Sequence, residues 1–270
     1  MAPAMATIGL IAGSGGFPAL FAAAARRAGH RVVAIAHLNQ TDRALERQVD
    51  AISWVKLGQF GKIVEALRSG GATQAVLLGA LAKKRFFIDT LPDAVGLELL
   101  ARVATRSDDT LLRAAAAMLE ERGFPVIDPT PFLGEALARQ GVLGRHQPTE
   151  EELADARYGL ELARAIGRLD LGQTVVVKDK AGVAVEAMEG TDACIRRGGE
   201  LARSAVVVKA VKPQQDRRFD LPAVGPDTIE SMKKAGCRVL AVEAGATLVM
   251  ELDELVRRAD KAGIAVVGLR

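Results

Sequence analysis

The feature that most constrains this chain is its opening. An apolar run, Ile8-Gly9-Leu10-Ile11-Ala12, passes directly into Gly13-Ser14-Gly15-Gly16, and Pro18 stands where a helix would begin. Glycine takes positive φ without a steric cost and leaves the main chain open to close approach. Free N–H groups and the dipole at the start of a following helix favour an anion, usually a phosphate. The pattern predicts a strand–turn–helix unit that holds a phosphorylated ligand. The alternative is a tight turn that binds nothing, as short glycine motifs often do.

The same alternation continues through the first half. Strands are expected at Thr7–Ala12, Arg31–His37, Ala51–Val55, Gln74–Leu78 and 124–127, with helices over 18–28, 61–69 and 108–122. Strands alternating with helices imply a parallel sheet covered on both faces. Near Pro148 the chain turns polar and starts a helix with a capping box, Thr149 to Glu152. The domain boundary is expected there, dividing the chain into 1–145 and 146–270. In the second half, Thr174–Lys178 and 183–188 read as a hairpin. A helix over 191–203, a strand over 205–211, a helix from 226, a strand over 238–243, a helix from 253 and a strand over 264–268 follow. The expected fold is α/β: a Rossmann-like parallel-sheet domain, then a mixed α/β domain.

Composition excludes several classes of function. The 36 basic residues barely exceed the 33 acidic ones, so nucleic acid is not an expected partner. Cys194 and Cys237 are far apart and form no CxxC pair, which suits a reducing cytoplasm and no structural zinc. His30, His37 and His146 are too scattered for a histidine metal cage. No secretory leader is expected, and no apolar run reaches the roughly 20 residues that span a bilayer. A dehydrogenase would end its second strand on an acid for the ribose, but this one ends Ala36-His37-Leu38 and lacks the last glycine of GxGxxG. No Gly-Lys-Ser/Thr follows the turn, so it is not a P-loop.

A second constellation runs from Lys209 and Lys212 through Asp216, Arg217, Arg218 and Asp220 to Pro226, Asp227 and Thr228. Prolines and a glycine fix a loop that gathers carboxylates and cations before a helix. Such a mixture can hold a hard divalent ion, since Mg²⁺ takes one or two carboxylates and keeps waters for the substrate. Surface ion pairs are the plainer reading, with Asp227 merely favourable in a first helical turn. A third group, Glu186-Ala187-Met188-Glu189-Gly190-Thr191-Asp192, ends a strand and opens a helix; Glu189 either ligates a metal or caps. Asp108 and Asp109 are N-cap or ribose-holding candidates, and Lys83 opens a basic run beyond Gly79 that suits phosphate or solvent.

Taken in order, these motifs resemble the LpxI-type UDP-2,3-diacylglucosamine pyrophosphatases of lipid A biosynthesis. The resemblance spans essentially the whole chain: Gly9 to Pro18, Asp108-Asp109, Val177-Lys178, Glu189-Gly190-Thr191-Asp192, and Lys209 to Thr228. It implies Mg²⁺-dependent hydrolysis, with Mn²⁺ as an alternative, giving UMP and 2,3-diacylglucosamine 1-phosphate. The expected catalytic set is Asp227, Asp220, Lys212 and Lys209, with metal on Asp220, Asp227 and Glu189. Substrate binding is expected at Gly13, Ser14, Gly15, Gly16, Gly79, Lys83, Asp108, Asp109, Thr191 and Arg218. Expected partners are the UDP-linked lipid and its lipid product, with contact at the cytoplasmic face of the inner membrane and a homodimer. A non-catalytic protein that binds a nucleotide-linked lipid would keep the glycine turn, but would have no need of the clustered acids and lysines.

Overall fold

A computed structural model of the chain describes residues 5–80, 92–103, 108–219 and 221–270, with the backbone alone at 108 and 109. The chain divides into two units: Met1–Gly134 with Asp216–Asp220, and Glu135–Gln215 with Leu221–Arg270. Among the described residues no helix is long and apolar enough to cross a membrane.

In the first unit, β1 (Thr7–Ala12), β2 (Arg31–His37), β3 (Ala51–Val55) and β4 (Gln74–Leu78) form a parallel sheet in the order β3-β2-β1-β4. Short apolar strands of this kind need helical crossovers to stay parallel. α1 (Phe17–Arg27) and α2 (Phe60–Ser69) supply them, followed by α3 (Ala94–Ala101) and α4 (Asp108–Glu121). The strand order reverses between β1 and β4, the place where open α/β sheets receive ligands at their carboxyl ends. Ile11, Ile35 and Leu77 of the sheet pack with Phe60 and Leu67 of α2 and Leu119 of α4, and Phe219 joins them. Among the described residues the strand expected over 124–127 pairs through a single bridge, Val126 to Ala75. Pro125 brings no N–H to a ladder and Pro129 follows, so the pairing stops.

The second unit holds a six-stranded mixed sheet. Its order is β5 (Gly141–Val142), β12 (Ala265–Leu269), β10 (Val239–Glu243), β8 (Val206–Lys209), β6 (Thr174–Lys178) and β7 (Ala181–Val185). β9 (Ala223–Val224) and β11 (Leu248–Val249) pair separately. The capping box forms, with Glu152 N–H donating to Thr149 Oγ1 (3.2 Å) and Thr149 N–H to Glu152 Oε2 (2.8 Å), and it opens α5 (Glu150–Arg168). The hairpin turn is tighter than the sequence suggests, because Asp179 (φ 52°) and Lys180 (φ 57°) both adopt left-handed backbone. The buried Asp155 carboxylate accepts both of their N–H groups, at 3.0 and 2.6 Å.

Alternation along β8 sorts the core onto two faces. Val206 and Val208 pack toward Ala156, Leu160 and Ala163 of α5. Val207 packs with Ile195 of α6 (Thr191–Leu201), Met232 of α7 (Pro226–Ala235) and Leu255 of α8 (Leu252–Ala262). Lys209, two residues on, shares the face of Val207 and therefore meets α6.

Candidate functional site

In the first unit the glycine turn is built as two main chains in contact. Gly13 N–H donates to Leu78 O (2.8 Å), and Ser14 exchanges backbone bonds with Ala80 at 2.8 and 3.0 Å. The Ser14 hydroxyl adds a third bond to Ala80 O, at 2.9 Å. A Cβ on Gly13 would lie 2.5 Å from Ala80 O, and one on Gly79 (φ 99°) would lie 2.8 Å from Ser14 O. Gly13 and Gly79 are thus required by each other's backbone. Gly15 differs: its φ is 92°, yet a Cβ there meets nothing within 4 Å. Gly16 precedes α1, whose start has no side-chain cap and no acid in its first turn. An uncapped helix start beside an open glycine suits an anion.

The second unit carries a buried polar cluster at the end of β8. Lys209 Nζ donates to Thr191 Oγ1 (3.1 Å), the first residue of α6, and to Ala223 O (2.9 Å). The Thr191 hydroxyl donates to Glu186 Oε1 at 2.9 Å. Thr174 Oγ1 lies 3.4 Å from Thr191 Oγ1. An ammonium can only donate and a carboxylate only accepts. The single Thr191 proton is therefore committed to Glu186, and Thr174 must donate to Thr191. Lys209, Glu186 and Thr174 are all buried. A buried ionised pair joined through one hydroxyl is strong only while each member keeps its partner.

The remaining expected residues go to different places. Asp227 occupies the first turn of α7 with its carboxylate fully exposed and Arg258 Nη1 at 3.9 Å. Glu189 is drawn into local bonds: Ala187 N–H donates to one oxygen (3.1 Å) and Arg197 to the other (2.7 Å). Its own backbone N–H, then Arg197, hold that carboxyl below the usual range. Lys212 turns toward the end of α5 and donates to Asp170 Oδ1 at 2.7 Å. Arg218 belongs to the first unit, where it pairs with Asp216 (2.7 Å) and Glu120 (2.6 Å). Lys83, Asp220 and the side chains of Asp108 and Asp109 lie outside the described residues. Among the described residues no cluster of three His, Cys, Asp or Glu side chains converges on one point. The exposed Asp227 and Glu189, whose carboxylate keeps lone pairs beyond its two hydrogen bonds, are both compatible with Mg²⁺, which takes one or two carboxylates.

Two residues outside the expected site set acquire importance. Glu186 orients Thr191, and only its place two residues before Met188 in the strand-to-helix segment hinted at it. His37, at the end of β2, is 4% exposed, and burial lowers its pKa to about 4. Burial also pushes the thiols of Cys194 and Cys237 up, to about 12 and about 11, so neither is a ready nucleophile.

Residues 7–136 match a family model described as the LpxI N-terminal domain, and residues 139–267 match the LpxI C-terminal domain. A protein of Caulobacter vibrioides named UDP-2,3-diacylglucosamine pyrophosphatase LpxI is 36% identical over 277 residues, covering 98% of each chain. Among solved structures, an ADP complex of N5-carboxyaminoimidazole ribonucleotide synthetase covers 86% of this chain and 44% of its own, at 13% identity and a TM-score of 0.30. The N5-carboxyaminoimidazole synthetase of Staphylococcus aureus covers 68% and 41%, at 16% identity and a TM-score of 0.25.

Proposed function

The chain belongs to the LpxI family, and we propose that it hydrolyses the pyrophosphate of UDP-2,3-diacylglucosamine to UMP and 2,3-diacylglucosamine 1-phosphate in lipid A biosynthesis. The observation that carries this reading is a relative of that name, 36% identical and matched along 98% of both chains. The residues give the activity a physical rationale. Pyrophosphate resists water because its negative oxygens repel a nucleophile, so a catalyst must neutralise charge and position the reactants.

In this proposal residues 1–145 bind the nucleotide and 146–270 carry the chemistry. The backbone N–H groups around Gly15 and the start of α1 hold a phosphate at the UMP end. Lys209, aimed by Thr191 and Glu186, offsets charge that builds on the sugar-side phosphate. Mg²⁺ or Mn²⁺, with Asp227 among its ligands, would supply further charge neutralisation. Water attacks the phosphorus next to the sugar; its oxygen stays with the lipid phosphate, and the bridging oxygen leaves with UMP. The reading also places the enzyme in the cytoplasm, at the membrane face where a diacylated substrate resides. A purely binding protein would need no buried lysine and carboxylate joined through a threonine.

The test is incubation with UDP-2,3-diacylglucosamine in ¹⁸O-water, with Mg²⁺ or with EDTA. UMP should form only with the metal, and the label should appear in the lipid phosphate. An absence of turnover would favour the binding protein, and label in UMP would reverse the point of attack.

A further inference from the structure

α5 carries two apolar rows, where a surface helix needs only one. Ala156, Leu160 and Ala163 form the first and pack on the sheet. Ala154, Tyr158, Leu162, Ala165 and Leu169 form the second, spaced by four, four, three and four residues, which keeps them on one face. Leu162 stands between the rows and packs partly against the sheet core. Leu169 at the C-cap is 72% exposed, Tyr158 is 39% exposed, and Leu171 continues the row past the helix end at 52%. A single exposed leucine is ordinary, but a row of apolar side chains along one helix face is a contact surface.

The row is complementary to itself. Ala154 and Leu169 are equally distant from a midpoint between Glu161 and Leu162, and so are Tyr158 and Ala165. A second copy laid antiparallel across that midpoint sets Tyr158 against Ala165 and Leu169 against Ala154. Each contact puts a large side chain on a small one, and the two Leu162 side chains meet at the axis. Such a contact uses the same face on both copies and closes at two. The helix ends agree in charge. Glu150 and Glu151 open α5 and Arg168 closes it, and among the described residues none of the three has an ion-pair partner within the chain. Antiparallel packing brings the acids of one copy toward Arg168 of the other and opposes the two helix dipoles. A lipid surface fits less well, because Glu151, three residues before Ala154, shares the face and would meet the negative potential of a membrane.

We propose that the second row of α5 is the contact face of a two-fold symmetric homodimer of this chain. The proposal does not depend on the reaction assigned above. A helix of 19 residues is about 28 Å long and about 10 Å across, so α5 alone supplies roughly 600 Å² over both copies. That area belongs to weak, reversible association, with a Kd on the order of tens of micromolar.

Sedimentation velocity over about 5–300 µM should show the 28.5 kDa monomer converting to a dimer. Leu169→Glu should weaken association at least about tenfold, since a carboxylate replaces the leucine that covers Ala154, and its exposure in the single chain leaves Tm unchanged. Cross-linking tests the register. Tyr158→Cys and Ala165→Cys chains, mixed under oxidising conditions, should form a disulfide-linked pair. Either variant alone should not, because each cysteine and its own mate stand about 10 Å apart along the axis, beyond the roughly 7 Å a disulfide spans. Cys194 and Cys237 are buried and do not compete. A monomer at every concentration, a dimer indifferent to Leu169→Glu, or no cross-link in the mixture would overturn the proposal. So would a monomeric wild type that floats with phosphatidylglycerol vesicles and loses that binding in Leu169→Glu, which would give the row to lipid.

Discussion

His37→Phe should remove the part of the first unit's acid sensitivity that comes from burying a neutral imidazole. In the folded chain burial holds His37 near a pKa of about 4, against an ordinary 6.5. The sign follows from the direction of that shift. Below pH 6.5 the unfolded chain takes up a proton that the folded chain refuses, so the contribution is fully present above 6.5 and is lost as pH falls through about 4. A shift of this size is worth about 3 kcal/mol in all, of which about 2 kcal/mol is gone by pH 5. Carboxylates held low by arginines, such as Asp216 beside Arg218 and Glu254 beside Arg257, also lose stability in acid. They do so equally in both proteins, so the comparison with the variant cancels them.

The assay is urea unfolding at pH 8 and pH 5, followed through Trp54. It is the single tryptophan of the chain, and β3 places it in the first unit. Wild type should lose about 2 kcal/mol more than His37→Phe between the two pH values. NMR titration of the His37 ring gives an independent midpoint. A midpoint near 6.5, or the same acid loss in both proteins, would refute burial as the cause.

Lys209→Met should lower kcat about 10²- to 10³-fold with a cooperative fold retained, the usual cost of one electrostatic contact in a transition state; activity within about threefold of wild type would remove the lysine from the mechanism. Gly79→Ala should destabilise the first unit by more than about 2 kcal/mol, because backbone strain and a main-chain collision add, whereas Gly15→Ala should cost only about 1–2 kcal/mol for positive φ. Equal losses in a urea titration would contradict the contact between the two turns. Asp227→Ala should abolish turnover without lowering Tm, since its carboxylate is fully exposed; a large fall in Tm with activity intact would make it a structural helix acid.

Much of the fold was legible because it is encoded locally. Short buried apolar runs such as Arg31–His37 and Gln74–Leu78 point to strands covered on both faces. The capping box at Thr149 states its own geometry. The hairpin between β6 and β7 was harder, since two consecutive left-handed residues, Asp179 and Lys180, depend on the distant carboxylate of Asp155. The two-residue strands β5, β9 and β11 have no period to read at all.

The site was legible only where one residue type implies one geometry. Glycine does so, and the turn at Gly13 was visible, although the partner that demands Gly13 and Gly79 is backbone from another strand end rather than a ligand. Lysine does not. Lys209 and Lys212 are three residues apart and look alike in sequence, yet the first is the last residue of β8, on the Val207 face, and the second lies past the strand's end. That difference sends Lys209 to Thr191 and Lys212 to Asp170. Glu186 was still less visible, because its value comes from a chain of proton directions. Lys209 can only donate, Glu186 accepts, and the hydroxyl of Thr191 is turned one way by both. Such an arrangement holds the ammonium in place, and in the proposed mechanism its charge would need no reorganisation as negative charge develops in the transition state.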